Sequence, residues 1–177
     1  MGSCTWTAPS RQRDATVTRQ VERAREGDIA AIAAIEQRCF SDPWSECSFR
    51  DVLAHPRIFF ACIRDVADGS VSPVLGYVVA WFISSQGEIA NLAVDPDARG
   101  RGIGSALLDA ALEEARRTST EEVFLEVRHS NLRARQLYES RGFMEVGRRR
   151  RYYRQPVEDA VILRRTEPVA ANPHSDV

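Results

Sequence analysis

A chain of 177 residues with 44% apolar content is long enough for one ordinary domain with a real core. Its formal net charge of −1 gives no global pull toward nucleic acid or an anionic membrane. All 24 basic residues are arginine, a compositional bias with a chemical consequence. Without lysine, Schiff-base catalysis and the lysine of a nucleotide-binding P-loop are excluded.

Cys4, Cys39, Cys47 and Cys62 form no C-x-x-C pair, so reduced thiols are the simplest reading. No His, Cys and carboxylate cluster has metal-ligand spacing, and no metal is expected. The N-terminus lacks a signal-peptide core, and no apolar run approaches the ~18 residues of a membrane span. A cytoplasmic protein without membrane or direct nucleic-acid contacts is expected. Oligomeric state is not legible.

In chain order, residues 1–16 are polar and aperiodic and read as a disordered lead; 165–177 read as a similar tail, leaving one domain over 17–164. A strand near 17–23 precedes a helix capped by Asp28, with Ile29, Ile32, Ala33 and Ile35–Glu36 at helical spacing. Phe-Ser-Asp-Pro-Trp-Ser (40–45) is a turn, after which Ser45 caps a short helix running to Ala54. Strands follow near 58–64, 74–84 and 87–95, the first two parted by a turn-like segment containing Pro73. A helix over 102–117, a strand over 121–127 and a helix from Asn131 to Arg141 come next, with Gly142 as the stop. Two last strands, 143–153 and 157–164, form an antiparallel hairpin. The fold class is mixed α/β with one central sheet.

Strand IANLAV, turn DPDA and then RGRGIGSALL place a glycine-rich loop at a helix start. Free N–H groups and the positive end of the helix dipole make such a place an anion site. Gly100, Gly102 and Gly104 let a pyrophosphate approach the backbone, and Arg99 and Arg101 add charge. A nucleoside-triphosphate P-loop fails for want of lysine. A dinucleotide fingerprint fails too, since Ser105 or Leu107 stands where the third glycine should be, although Glu126 lies about where a ribose-binding acid would. Coenzyme A remains. Glu126, inside the apolar strand VFLEV, reads as a general base or as an ion pair with Arg128. Asn131, Ala134 and Tyr138 share one helix face, so Tyr138 is core or a proton donor. His129 reads as a solvated turn residue.

Arg99-Gly-Arg-Gly-Ile-Gly104 resembles the Q/R-x-x-G-x-G/A signature of the GNAT acetyltransferase superfamily. FSDPWS, NLAVDPDARGRGIGSALL, LEVRHSN, LYESRGF and the closing RYY…EDAVIL are similar to the RimI family of ribosomal-protein alanine N-acetyltransferases, over about residues 18–164. The resemblance implies a GNAT fold: a mixed sheet of about seven strands flanked by four helices and splayed in the middle. It implies acetyl-CoA as cosubstrate, Glu126 as general base, Tyr138 as general acid and Asn131 as a contact of the cofactor's pantetheine arm. It assigns cofactor binding to the backbone of Leu92, Ala93 and Val94 and to Arg99, Gly100, Arg101, Gly102, Ile103, Gly104 and Ser105. Trp44, Tyr152 and Tyr153 match segments that border a peptide groove, and the implied acceptor is the N-terminal alanine of the eighteenth small-subunit ribosomal protein. The arginine run 148–151 sits awkwardly with so basic a partner. An acetyltransferase for other protein N-termini or for small amines and a non-catalytic acetyl-CoA-binding module are the other readings.

Overall fold

A computed structural model describes residues 18–67 and 70–167. The lead expected over 1–16 lies outside the described residues, as does the tail from 168 onward. Residues 165 and 166, expected in that tail, instead complete the last strand.

Seven strands form one mixed sheet: β1 (Thr18–Arg23), β2 (Ile58–Ala67), β3 (Ser70–Ile83), β4 (Gln86–Val94), β5 (Glu122–Arg128), β6 (Met144–Arg154) and β7 (Val157–Thr166), in the order β1-β2-β3-β4-β5-β7-β6. Every neighbouring pair is antiparallel except β4 with β5. That exception follows from the crossover helix α3 (Ile103–Arg117) between them, since a parallel return needs a long connection.

β2 and β3 run beyond the expected boundaries at 64 and 74, nearly to the loop tip. Pro73 is tolerated because the register jumps from Arg64↔Val74 to Val66↔Val71, so the bulge leaves proline without a ladder position to fill.

α1 (Ile29–Cys39) and α2 (Glu46–Ala54) cover one face of the sheet. Their Ile29, Ile32 and Phe49 pack with Phe60, Tyr77, Val79 and Ala93. α3 and α4 (Leu132–Glu139) cover the other face, where Leu107, Leu108, Ala111 and Tyr138 join Val78, Ile89, Leu125, Val127 and Val161. The two-residue period of the strands sorts side chains between these cores. No helix among the described residues is long and apolar enough to cross a membrane.

The caps differ in part from expectation. Ser45 Oγ accepts the Ser48 N–H at 3.1 Å, as the turn sequence requires. Asp28 precedes α1 but does not cap it: its carboxylate accepts the Arg25 N–H at 2.9 Å and the Arg64 guanidinium at 2.7 Å. A buried carboxylate gains more from a guanidinium than from one more amide. α4 ends at Glu139, two residues early, and Gly142 then adopts φ +82° while the Phe143 N–H reaches the Tyr138 carbonyl.

Candidate active site

β4 and β5 pair only between Gln86–Ile89 and Glu122–Leu125. Beyond Ile89 the strands part, and β5 continues on β7 alone through Arg128. The sheet is therefore open beside Leu92, Ala93 and Val94. The Asp95 N–H bonds the Leu75 carbonyl at 2.9 Å, toward β3. Strand alternation then turns the Ala93 amide toward β3 as well and leaves the amides of Leu92 and Val94 facing the gap. Of the three residues expected there, two offer donors to a guest and one is spent on the ladder. β3 closes tightly behind them, for a Cβ on Gly76 would lie 2.7 Å from the Ala93 carbonyl oxygen.

The glycine loop lies at the open end of that gap. Gly100 and Gly102 have φ +81° and +79°, and Gly102 occupies the position before the first residue of α3. Left-handed backbone at these two positions is what glycine provides. A Cβ on Gly102 would meet no atom of the described residues within 4 Å, so they leave the space in front of the helix terminus free. Gly104 serves packing instead, since a Cβ there would touch Leu137 and Val94 at 3.4 and 3.6 Å where α3 meets α4 and β4.

The two loop arginines are already engaged. Arg101 pairs with Asp65 at 2.5 Å, while Arg99 reaches the Val94 carbonyl and Cys39 Sγ, each at 3.4 Å. The guanidinium that overhangs the loop belongs to Arg133 of α4, whose nitrogen lies 3.5 Å from a Cβ position on Gly100. It makes no ion pair with another described residue. Sequence reasoning missed Arg133 because only tertiary packing brings α4 over the loop.

Glu126 lies between Leu125 and Val127, which belong to the core beneath α3, so its side chain projects on the α1/α2 face. It lines a cavity of about 490 Å³ with Trp81, Glu88, Phe124, Arg149 and Ile162. Its ion-pair partner is Arg149, at 3.0 Å, rather than Arg128. Burial, with the charge of Glu126 adding to it, pushes the Tyr152 hydroxyl above its usual range. Burial, helped by the charge of Glu126, pushes the Glu88 carboxyl above its usual range.

Tyr138 is only 7% exposed and packs edge-on against Phe143 at 5.8 Å. Burial and the nearby Tyr153 push its pKa up to about 12. Tyr153 is likewise pushed up to about 12 by burial, with Glu126 contributing. Tyr153 is thus close enough to feel the charge of Glu126 and to influence Tyr138. A bulge between Arg149 and Tyr153, with Arg151 at φ +52° and its N–H on Asp159, re-aims the two tyrosines.

Asn131 stands before α4, and its side-chain oxygen accepts the Ala134 N–H at 3.2 Å, so only its amide nitrogen is free to serve a ligand. Trp44 packs against Phe49 at 5.6 Å, which makes it a wall held by the core. Arg128 ties the 40–45 loop to the turn between β6 and β7. Its guanidinium bonds Ser41 Oγ at 2.7 Å and the Gln155 carbonyl at 3.2 Å, and sits 4.0 Å over the Tyr153 ring. No cluster of potential metal ligands occurs among the described residues.

An opened sheet, a glycine-rich helix start at its mouth and a carboxylate on the far side form an arrangement with known counterparts. The family model described as "Acetyltransferase (GNAT) family" matches residues 29–143. The [ribosomal protein bS18]-alanine N-acetyltransferase of Escherichia coli K12 is 33% identical over 138 residues, 77% of this chain and 89% of that protein. The N-alpha-acetyltransferase RimI of Mycobacterium tuberculosis is 38% identical over 147 residues, 78% of this chain and 86% of that protein. The crystal structure of the Escherichia coli ribosomal-protein-S18-alanine N-acetyltransferase superposes with a TM-score of 0.77 at 28% identity, covering 90% of this chain and 99% of that one. The chain belongs to the GNAT acetyltransferase family, in its RimI branch, and is an N-acetyltransferase.

Proposed function

We propose that this enzyme transfers acetyl from acetyl-CoA to the α-amine of a protein N-terminus, with the N-terminal alanine of the eighteenth small-subunit ribosomal protein as its acceptor. The observation that carries the reading is the gap beside β4, open to a phosphate site at one end and to Glu126 at the other. The names of the relatives support the acceptor.

Bound acetyl-CoA supplies an activated acyl group. The loop from Gly100 to Ser105 receives its pyrophosphate on backbone N–H groups at the start of α3, with Arg133 adding charge. The Leu92 and Val94 amides bind along the gap, one of them at the carbonyl oxygen where negative charge develops. The Asn131 amide nitrogen serves the pantetheine arm.

Glu126 removes a proton from the acceptor ammonium, whose pKa of about 8 leaves much of it protonated at neutral pH. Arg149 must yield its place on Glu126 to that ammonium, and its exposed side chain can do so. Tyr138 gives its proton to the departing sulfur and recovers one from the nitrogen, which sheds its second proton as the amide forms; with a pKa of about 12 the hydroxyl is protonated before each cycle. Trp44, Tyr152 and Tyr153 wall the acceptor groove.

A pair of matched peptides tests the reading: one with free N-terminal alanine and no lysine, the other N-terminally blocked with an internal lysine. Mass-spectrometric location of acetyl on the first is expected. Equal or faster acetylation of the blocked peptide refutes the N-terminal assignment.

A further inference from the structure

Glu36 lies on α1, is 1% exposed and touches neither the gap nor the cavity. The other buried acids, Asp28 and Glu167, each face a guanidinium. Glu36 has none among the described residues, in a protein with 24 arginines. Three neutral donors hold it instead, and each comes from a different element. The backbone N–H of Trp44, in the 40–45 loop, donates to Oε1 at 3.1 Å. Asn91 Nδ2, in β4 where it leaves β5, donates to the same oxygen at 3.0 Å. The Tyr77 hydroxyl of β3 donates to Oε2. Burying an unpaired carboxyl is costly, and burial raises its proton affinity accordingly. Packing alone would be served as well by a leucine. A carboxyl adds one shared acceptor that fixes the loop at Trp44 to the residue preceding Leu92, whose amide faces the gap.

We propose that Glu36 is a positioning residue that ties the acceptor-bordering loop 40–45 to the splayed part of β4, so that the groove wall and the amides of the gap keep one fixed spacing. The proposal rests on the acetyl-transfer reading above for its consequence, while the tie itself is a property of the unliganded protein. Leu92 belongs to the gap and Trp44 to the groove wall; Glu36 holds the Trp44 amide directly and reaches Leu92 only through its chain neighbour Asn91.

The test uses Glu36→Gln, Glu36→Leu, Asn91→Ala and the double variant Glu36→Leu/Asn91→Ala. Gln keeps the oxygen that accepts from Trp44 and Asn91, so its peptide KM should stay within about twofold of wild type. Glu36→Leu cuts the tie and should raise peptide KM by about tenfold or more, leaving acetyl-CoA affinity unchanged. Asn91→Ala, which never touches the loop, should raise peptide KM in the same direction. The double variant should be no worse than Glu36→Leu alone, because both remove one connection. Additive losses, an unchanged KM in Glu36→Leu, or a Gln variant as impaired as the Leu variant would each overturn the proposal. Hydrogen exchange of the Trp44 amide tests the tie without any acceptor: it should quicken by about tenfold in Glu36→Leu and stay protected in Glu36→Gln. A protein that acetylates no peptide yet shows this exchange pattern would refute the functional reading and keep the tie; unchanged exchange would remove the tie itself.

Discussion

Gly102 and Gly104 lie two residues apart, and the structure assigns them opposite responses to the same substitution. Gly102→Ala puts an L-residue at φ +79°, which costs about 1–2 kcal/mol, but its Cβ meets no atom of the described residues. For a domain of this size that is a fall in Tm of about 2–8 °C without ligand. The methyl group instead enters the space a phosphate needs. Wild type with acetyl-CoA at 100 times its Kd should gain about 2.7 kcal/mol, or about 5–11 °C. A hundredfold loss of affinity in Gly102→Ala leaves about 0.4 kcal/mol of that gain at the same ligand concentration. Gly104→Ala differs. Its backbone is not left-handed, its Cβ finds ordinary contacts at 3.4 and 3.6 Å, and it lies in the first turn of α3. Reduced chain entropy in the unfolded state should make it neutral or stabilising by about 0.4–1 kcal/mol, with the ligand shift intact. Thermal melts of the three proteins with and without acetyl-CoA read both effects. A full ligand shift in Gly102→Ala, or an equal loss in Gly104→Ala, would refute the assignment of this loop as the pyrophosphate site.

Glu126→Gln should lower kcat by roughly 10²-fold or more at neutral pH, with partial recovery at high pH where the acceptor is already neutral; steady-state rates against pH decide it. Tyr138→Phe should cost a comparable factor in kcat without altering acetyl-CoA affinity, as measured by thermal shift. The same variant has a stability signature. Tyr138 ionises near 10 when unfolded and at about 12 when folded, so its contribution is complete below pH 10 and is lost as pH rises through 12. At about 1.4 kcal/mol per pH unit, wild type should lose roughly 2–3 kcal/mol over that window that Tyr138→Phe does not, a difference visible in urea midpoints at pH 9 and 11.5. Arg133→Gln should weaken acetyl-CoA by about tenfold, whereas Arg101→Gln, which breaks only the pair with Asp65, should change it little; equal effects in calorimetric titrations would contradict the geometry.

What the sequence revealed, and what it hid, divides along the reach of the interactions. Local chemistry was legible: Ser45 caps α2, the glycine loop opens α3, and alternation along β5 gives Glu126 a face of its own. The splay of β4 from β5 came only through resemblance, since nothing in IANLAV says where pairing stops. Distant partners stayed hidden. Arg149 reaches Glu126 from β6, Arg133 reaches the loop from α4, and Arg64 takes Asp28 away from the helix it was expected to cap. Glu36 looked like one more position of the α1 pattern because its donors lie 8, 41 and 55 residues further along the chain. Pro73 misled for the opposite reason: the local rule that proline ends a strand was overridden by a bulge that only β2 could supply.

The arginine run 148–151 looked hostile to a basic acceptor, and its ion pairs alter that picture. Arg148 is paired with Glu145 at 2.6 Å, and Arg149 with Glu126 at 3.0 Å. Arg151 takes a left-handed conformation that directs its N–H to Asp159. Within the cavity, Arg149 stands with two acidic side chains, Glu88 and Glu126, so acidic groups outnumber basic ones along its lining. A cation entering there meets Glu126 where Arg149 now sits, and the displaced guanidinium still has Glu88 in the same cavity and the Tyr152 ring, 5.4 Å away, to receive it. Exchanging one cation for another at Glu126 avoids leaving a partly buried carboxylate bare beside Glu88, which would be the costly alternative. The run thus lends the groove a displaceable counter-charge, and a positively charged N-terminus is the kind of guest for which that exchange is balanced.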